Sequence, residues 1–328
     1  MIKDYTYCYY IRAVDTINDV TTISNRICFK ADVPNRSRLL YLAQTSVVPA
    51  GIETYTFLDG QADVVSFDVE RADNPRGPFI SLGTVPKPAN APFVFSFTDF
   101  SANTEGRLYW YRISALDSCG LRDTVSNVGR NIFLEVSAEK DLSNRLKWNP
   151  YQQWGGTVGS YRIWRSETDK NFGYQLVATI PGTDTTYSDY FSSTDGSGLF
   201  CYYIEAEEVN NPLGFVDPLG QPWRSKSNNV CAVQKARFFM PNAFNPASDI
   251  EENRLFGPRE VFAQSASYRF YIVNRWGEVV FDTSDPANKW DGMYEGSDAP
   301  TGVYLYYVTY RSLEDIPVEQ RGHMTLIR

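Results

Sequence analysis

The chain has 328 residues, a length typical of two domains or of several smaller ones. Aromatic residues make up 15% of it, and because Tyr, Phe and Trp favour strands, the composition indicates an all-β protein. The formal net charge of −8 argues against nucleic acid as a partner, since phosphate binding needs clustered Lys and Arg.

The N-terminal residues do not look like a secretion signal. A signal peptide would begin with a basic stretch followed by an apolar one. Residues 1–15 instead alternate as a strand does, with aromatic side chains at positions 5, 7 and 9. Residues 1–33 are therefore predicted to be the last hairpin of a domain whose earlier strands lie upstream; the alternative is a cytosolic chain.

Three segments repeat one strand pattern. Residues 7–15, 109–117 and 200–208 each contain an aromatic-x-Tyr-x-Ile-x-Ala run, and each is followed by a Ser-Asn pair. The two later copies also share an Arg and an Asp, which are Arg71 and Asp99 in one, Arg165 and Asp189 in the other. A repeat of about 90–100 residues with period-2 alternation is typical of a β-sandwich.

These repeats resemble fibronectin type III and related immunoglobulin-like domains. The residues that carry the resemblance are a Trp followed by Pro at 148–150, a strand at 161–165 and the repeated Tyr-rich strand. The resemblance implies that Tyr7 and Tyr109 tie a loop to the sheet through their hydroxyls, whereas the third copy has Phe200. It predicts the fold and says little about function.

The cysteines predict two disulfides. Cys8 with Cys28 and Cys201 with Cys231 occupy matching positions of two repeats, and the second repeat replaces both, with Trp110 and Arg130, which could stack. We expect both pairs to be bonded, which indicates an oxidising compartment, and Cys119 to be free. The alternative is four unpaired thiols in a cytosolic chain. Metal binding is not expected from cysteine spacing.

The last ninety residues carry five short motifs in a fixed order. They are Pro-Asn-Ala-Phe at 241–244, Asn-Arg-Trp-Gly at 274–277, Trp-Asp-Gly at 290–292, Pro-Thr-Gly-Val-Tyr at 300–304 and Thr-Leu-Ile-Arg at 325–328. This segment resembles the gliding-motility-associated C-terminal domain, the type B sorting signal of the type IX secretion system of Bacteroidetes. The fold class expected for the chain is thus all-β: tandem immunoglobulin/fibronectin-like β-sandwiches followed by a small β-sandwich sorting domain.

The resemblance implies export through the periplasm to an extracellular or cell-surface, outer-membrane-associated location. The implied partners are the type IX translocon barrel in the outer membrane, its shuttle protein and a PorP/SprF-type barrel. Trp276 and Trp290 are candidate exposed anchors or core residues, and Arg275 and Arg328 either pair with a receptor or close a turn and solvate a terminus. The residues expected to take part in recognition are Asn274, Arg275, Trp276, Gly277, Trp290, Asp291, Gly292 and Arg328.

One part of the segment departs from the family pattern. Family members often carry a Gly-rich loop with calcium-like ligands after Pro-Asn-Ala-Phe, but residues 245–253 lack those glycines. Asp249, Glu251 and Glu252 remain weak metal candidates, with a solvated acidic turn as the alternative. No cofactor is expected.

No catalytic motif appears in the sequence. Its one histidine, His323, lies in a strand-like segment without a matching nucleophile, and no phosphate loop or nucleophile elbow is present. Glu205, Glu207 and Glu208 form a carboxylate group that the sister repeats lack. A glycan-binding surface would use Trp154 and Trp223, which lie in loops, whereas Trp148 is expected in the core.

The predicted organisation has four parts. They are a partial fibronectin-like domain at 1–35, complete sandwiches at 36–136 and 137–236, and the sorting domain at 237–328. The predicted function is the C-terminal region of a gliding-type adhesin, a non-enzymatic stalk with a sorting signal, whose glycan or surface ligand would bind an upstream part. The alternatives are a polysaccharide-degrading enzyme or protease with an upstream catalytic domain, or a carbohydrate-binding module.

Overall fold

Alternating side chains along the strands determine the architecture of the chain. A computed structural model describes residues 4–31, 35–90, 93–152, 154–167, 173–191, 197–235, 237–261, 267–311 and 317–328. The chain divides into two compact units. One contains Met1–Ile132, Tyr151–Val158 and Glu208–Lys226, and the other contains Phe133–Pro150, Gly159–Glu207 and Ser227–Arg328.

The N-terminal segment forms one long hairpin made of two consecutive strand pairs. Its strands are β1 (Thr6–Tyr9), β2 (Arg12–Asp15), β3 (Val20–Ile23) and β4 (Ile27–Lys30). β1 pairs with β4 and β2 with β3, both antiparallel. Both faces of this hairpin are largely exposed, including the apolar side chains of Tyr9 and Ile11.

The first complete sandwich has two antiparallel sheets. One has the order β5-β6-β9, and the other β11-β10-β7-β8 with β12 also paired to β10. The predicted repeat strand of residues 109–117 is β10. The strands are β5 (Leu40–Val48), β6 (Gly51–Leu58), β7 (Val64–Ala72), β8 (Ile80–Pro86), β9 (Val94–Asp99), β10 (Trp110–Asp117), β11 (Arg122–Val125) and β12 (Gly129–Arg130).

The core of this sandwich lies between the two sheets. Tyr111, Ile113 and Ala115 alternate inward along β10 and are fully buried, as are Phe67 and Val69 on β7. On the rim of the core the Tyr109 hydroxyl accepts a hydrogen bond from the backbone N–H of Asn103 (3.2 Å), which ties a loop to the sheet as the resemblance implied.

The second sandwich repeats this plan. One sheet has the order β13-β14-β17; in the other β15 lies between β16 and β18, and β20 also pairs with β18. Trp148 is buried and its ring meets that of Tyr161 edge-on at 5.3 Å. The predicted boundary at 136/137 falls inside a strand. The strands are β13 (Leu134–Ala138), β14 (Ser143–Trp148), β15 (Thr157–Glu167), β16 (Gln175–Pro181), β17 (Thr186–Tyr190), β18 (Leu199–Val209), β19 (Arg224–Lys226) and β20 (Val230–Val233).

A buried carboxylate joins the two sheets of each sandwich. Asp99 on β9 accepts hydrogen bonds from the Tyr111 hydroxyl (2.8 Å) and from Arg71 Nη1 (2.6 Å), so it bridges to β10 and β7. In the second sandwich Asp189 likewise accepts from Tyr202 (2.9 Å) and Arg165 Nη1 (2.9 Å). The Arg and Asp that the two repeats share thus form the same buried cluster twice.

The Asp99 cluster has a defined dependence on pH. Burial alone would raise the pKa of Asp99, but hydrogen bonds from Ser101, Tyr111 and Arg71 outweigh it and hold the pKa below its ordinary value. A carboxyl group whose pKa is lower in the folded state stabilises that state above its unfolded pKa of about 3.9, and this contribution disappears as pH falls through the folded pKa.

We therefore expect Asp99→Asn to lower the free energy of unfolding by about 1–3 kcal/mol at pH 7, because it leaves Arg71 without its buried partner. The difference in unfolding free energy between the variant and the parent, measured by urea unfolding at each pH, should narrow as the pH falls below the unfolded pKa of about 3.9. The exposed Asp73, replaced by Asn, serves as the control and should cost little. A gap that stays constant with pH would contradict the assignment.

The four paired cysteines lie directly opposite each other on neighbouring strands. Cys8 faces Cys28 between β1 and β4, and Cys201 faces Cys231 between β18 and β20. Both pairs form disulfides, with Cα–Cα distances of 4.0 Å, while Cys119 is free and exposed. In the intervening repeat Trp110 faces Arg130 in the same register.

Thiol labelling tests this pairing. In the folded chain made under oxidising conditions, iodoacetamide should modify one cysteine, Cys119, and after reduction and denaturation all five cysteines should react. Intact mass spectrometry counts the added groups. Labelling of three or more cysteines before reduction would show that at least one of the disulfides does not form.

The C-terminal part is built on one five-stranded sheet. Its order is β22-β29-β28-β24-β25, with β22 parallel to β29 and the other pairs antiparallel. Two separate two-stranded sheets, β21-β23 and β26-β27, and one 3₁₀ turn, Glu251–Asn253, complete the described elements. The strands are β21 (Arg237–Phe239), β22 (Ala243–Phe244), β23 (Arg259–Val261), β24 (Arg269–Val273), β25 (Val279–Thr283), β26 (Met293–Tyr294), β27 (Ser297–Asp298), β28 (Gly302–Arg311) and β29 (Pro317–Leu326).

One face of this sheet is covered and the other is open. Tyr304, Tyr306 and Val308 on β28 and Met324 on β29 point into the core. Within the described residues, no helix is long and apolar enough to cross a membrane.

Candidate functional site

The sequence motifs of the C-terminal part meet around one buried tryptophan. Trp290 is 1% exposed, and its ring lies 5.4 Å from that of Phe244 and 5.1 Å from that of Tyr304. Its indole N–H donates to the carbonyl of Met293 (2.8 Å), and its backbone exchanges two hydrogen bonds with Phe256. Of the two alternatives left open for Trp290, the structure supports the core residue and not the exposed anchor, because the side chain lies at the centre of the core.

Glycine is required two residues after this Trp, because a side chain there would clash with its neighbours and strain the backbone. Gly292 has φ of +82°, and a Cβ there would lie 2.7 Å from Pro246 Cγ. Asp291, between the two, is exposed, and its carboxylate accepts a hydrogen bond from the Met293 N–H (2.9 Å), closing the turn. The Trp-Asp-Gly motif thus shapes a turn against the first motif of the segment.

The end of the chain is held by the same turn. The Arg328 guanidinium donates to the carbonyls of Ala299 (2.5 Å) and Gly292 (3.1 Å) and pairs with Asp298 (3.0 Å). β29 also lies beside β22, where the N–H of Ile327 donates to the carbonyl of Phe244 (3.1 Å). Arg328 therefore has acidic and carbonyl partners within its own chain.

The Asn-Arg-Trp-Gly motif forms a hairpin tip that projects its tryptophan. The Asn274 side chain accepts from the N–H groups of Trp276 and Glu278 (3.0 Å each), and Gly277 adopts φ of +85°, which a side chain would strain. Trp276 is 71% exposed, and the Arg275 guanidinium lies 5.1 Å from its ring centroid. Of the eight predicted recognition residues, these two combine exposure with a large contact area.

The outer face of the five-stranded sheet continues from this tip. Val279, Val273, Leu305 and His323 lie side by side across four strands, as their pairing registers show. Val279 and Leu305 are exposed apolar side chains, and so is the nearby Val303. Sequence reasoning missed this row, although the alternation of β28, with Tyr304 and Tyr306 inward, already implied that Val303 and Leu305 point outward.

The structure does not bring the acidic candidates together as a metal site. Glu252 pairs with Arg259 (3.0 Å), and all three of Asp249, Glu251 and Glu252 are exposed. Among the described residues, no group of three or more His, Cys, Asp or Glu side chains is placed to hold a metal ion. The acidic segment is instead a turn that contains the short 3₁₀ helix.

The two tryptophans proposed to bind glycans are buried. Trp223 is 1% exposed and packs against the rings of Tyr55 (5.5 Å) and Phe57 (5.8 Å), and the ring of Trp154 lies 4.4 Å from that of Tyr151. Neither presents a face on which a sugar could stack, so the alternative of a glycan-binding surface on these two side chains is wrong. Loop position suggested exposure, but these loops pack onto the first sandwich within the same compact unit.

The three neighbouring glutamates have separate structural partners. Glu205 accepts from the indole N–H of Trp164 (3.0 Å), and Glu207 pairs with Arg162 (2.8 Å). Glu208 is buried, which raises its pKa, and it accepts from the N–H of Gly156 (3.0 Å) and from the side chain of Asn211 (3.0 Å). They therefore do not form an acid–base pair.

These features define a class of protein. Two sandwiches, each with a buried Asp–Tyr–Arg cluster, precede a small sheet domain whose motifs build its own core and expose one aromatic tip. The chain is thus a modular all-β protein with a distinct C-terminal domain.

That C-terminal domain matches a known family. Residues 238–326 match the CHU_C Type IX secretion signal domain, so this segment carries a type IX secretion signal. The match ends two residues before Arg328 and includes the hairpin tip and the Trp290 core. No curated protein matches the chain.

Several solved structures are similar to the chain at low TM-scores. A tetra-tandem repeat from the extending region of a large adhesion protein has 13% identity, covers 99% of this chain and 82% of that one, and has a TM-score of 0.28. The chicken CNTN1 FN1–FN3 domains have 9% identity, 90% and 98% coverage and a TM-score of 0.24. The pectate lyase Pel3 from Pectobacterium carotovorum has 17% identity, 35% and 34% coverage and a TM-score of 0.23. Scores this low carry no argument about function.

The two tryptophans of the signal domain are expected to differ sharply in their contribution to stability. Trp290→Ala removes a fully buried ring and should lower the free energy of unfolding by about 3–5 kcal/mol. Trp276→Ala removes an exposed ring and should change it by about 0.5 kcal/mol or less. Denaturant unfolding followed by circular dichroism compares the two, and equal losses would contradict the placement of Trp276 at an open tip.

Proposed function

We propose that this chain is the C-terminal region of a gliding-type adhesin, in which residues 237–328 direct export and the sandwiches form a stalk. The observation that carries the export function is the type IX secretion signal match over residues 238–326. The stalk function is supported by the sandwiches themselves, since the polar clusters described there have structural partners within the fold. On this proposal the exported protein remains associated with the outer membrane.

We further propose that the exposed tip, Arg275 and Trp276, contacts the translocon. The six remaining recognition candidates have structural roles. Asn274 and Gly277 shape the tip, and the other four build the core and its closing turn: Trp290, Asp291, Gly292 and Arg328. An exposed tryptophan beside a cation is the kind of side-chain pair that dominates protein interfaces. The partners proposed for it are the outer-membrane barrel, its shuttle protein and a PorP/SprF-type barrel.

Export of the whole chain tests both statements. The 328-residue chain, given a periplasmic leader, should become accessible to added protease on the surface of type IX-competent cells and remain protected in a translocon-deficient strain. A chain lacking residues 237–328 should stay in the periplasm. If the whole chain also stays there in competent cells, the assignment of the sorting function is wrong.

The role of the tip is tested by one substitution with a matched control. Trp276→Ser should reduce surface delivery on the order of tenfold, as loss of an interface tryptophan does. Phe100→Ser removes an equally exposed aromatic residue from the first sandwich and should have no effect. Equal delivery of both variants, with equal stability, would show that recognition does not use Trp276.

The upstream sequence separates the adhesin from the alternative of an exported enzyme. Further sandwich repeats upstream would support the adhesin, and a catalytic domain would support a polysaccharide-degrading enzyme or protease carried by the same signal.

A further inference from the structure

The N-terminal hairpin repeats the last strands of both complete sandwiches, yet its inward side is uncovered. Tyr9 and Ile11 correspond to Tyr111 and Ile113, which are fully buried between two sheets. In the hairpin Tyr9 is 53% and Ile11 76% exposed. A two-stranded hairpin is marginally stable by itself, and an apolar face of this kind normally packs against another layer.

The Ser24–Asn25 segment between β3 and β4 has the same hydrogen bonds as the matching segments of the complete copies. The hydroxyl of Ser24 accepts from the N–H of Ile11 (2.8 Å) and donates to the carbonyl of Asn25 (2.9 Å). Ser126 makes the same pair of bonds to Ile113 (2.9 Å) and Asn127 (2.7 Å). The backbone of the hairpin therefore has the geometry of the complete sandwich before any further strand covers it.

In the complete sandwiches the Asn side chain of this segment binds the backbone of the first strand. Asn127 accepts from the N–H of Leu42 (2.9 Å) and donates to its carbonyl (3.0 Å), 85 residues upstream. Asn228 makes the same two bonds to Leu134 (2.7 and 3.0 Å), 94 residues upstream. The side-chain amide supplies one acceptor and one donor and so replaces a neighbouring strand.

The hairpin presents the same two groups without their partners. Among the residues that the structure describes, the Asn25 side chain forms no hydrogen bond. Tyr9 occupies the position from which Tyr111 and Tyr202 donate to the buried Asp99 and Asp189. Its surroundings lack a carboxylate from a facing sheet, since only β1 to β4 make up this part of the described chain.

We propose that residues 4–31 are an acceptor surface for upstream strands of the same polypeptide, which complete a third sandwich. In that sandwich Asn25 binds both backbone polar groups of an aliphatic residue on the first strand, and Tyr9 donates its hydroxyl to an aspartate paired with an arginine. The proposal is independent of the secretion function. The occupant is an upstream strand because in both complete copies the residue bound by the Asn side chain precedes that Asn by less than one repeat.

A fusion supplies strands of known sequence as the probe. Residues 35–105, which contain Leu42, Arg71 and Asp99, are placed directly before residue 4 of the whole chain, in the register of the repeat. Hydrogen exchange of the amides in residues 6–30 should slow about tenfold or more relative to the unmodified chain. A second fusion, with residues 133–196 in place of 35–105, is made in case the first misfolds. Slowed exchange of residues 6–30 in either fusion supports the proposal.

Two substitutions then locate the contacts. Within a protected fusion, Asn25→Ala and Tyr9→Phe should each speed exchange of residues 6–30, while Tyr10→Phe, on the opposite side of the strand, should not. In the unmodified chain all three should exchange like the parent. If residues 6–30 of the Asn25→Ala fusion exchange as slowly as those of its parent, the Asn25 side chain does not bind the added first strand.

Two results would overturn the acceptor surface itself. One is unprotected residues 6–30 in both fusions, although the added strands are themselves protected. The other is an unmodified chain that sedimentation shows to be a dimer with residues 6–30 already protected, because the occupant would then be a second copy.

Discussion

The two sheets of each sandwich are held in register by a carboxylate that would be costly to bury alone. Asp99 and Asp189 lie between sheets, where desolvation opposes the charge, and each is retained because a tyrosine hydroxyl and an arginine reach it from the other sheet. The tyrosine must therefore lie at an inward position of its strand. That requirement fixes which face of β10 and of β18 is the core face, and the alternation of the strands follows from it.

The fold class could be predicted because it depends on local alternation that the sequence displays directly. The aromatic-x-Tyr-x-Ile-x-Ala runs of residues 109–115 and 200–206 lie along β10 and β18, with the second aromatic residue (Tyr111, Tyr202) and the isoleucine inward. What alternation could not predict was the packing of long loops. Trp154 and Trp223 lie outside regular strand patterns, and their burial depends on partners such as Tyr55, which are remote in sequence.

The C-terminal domain shows a second limit of prediction from sequence. Its motifs identify a secretion signal, but they do not distinguish residues that build the domain from those available to a partner. Trp276 and Trp290 stand in similar motifs, each followed by a glycine with positive φ. One lies at a hairpin tip and the other in the core, and only the pairing of β24 with β25 and the bridge between Phe256 and Trp290 separate them.

The grip of Asn127 on Leu42 also sets an order of events along the chain. Asn127 and Leu42 are 85 residues apart, so the first strand of a sandwich pairs early with the strand that follows it but lacks the asparagine contact until nearly the whole repeat is present. Contacts of such long sequence separation form slowly compared with local hairpins. Each sandwich in the chain is thus complete only when the Asn near its end binds the first strand. A polypeptide that emerges gradually therefore completes its modules one at a time.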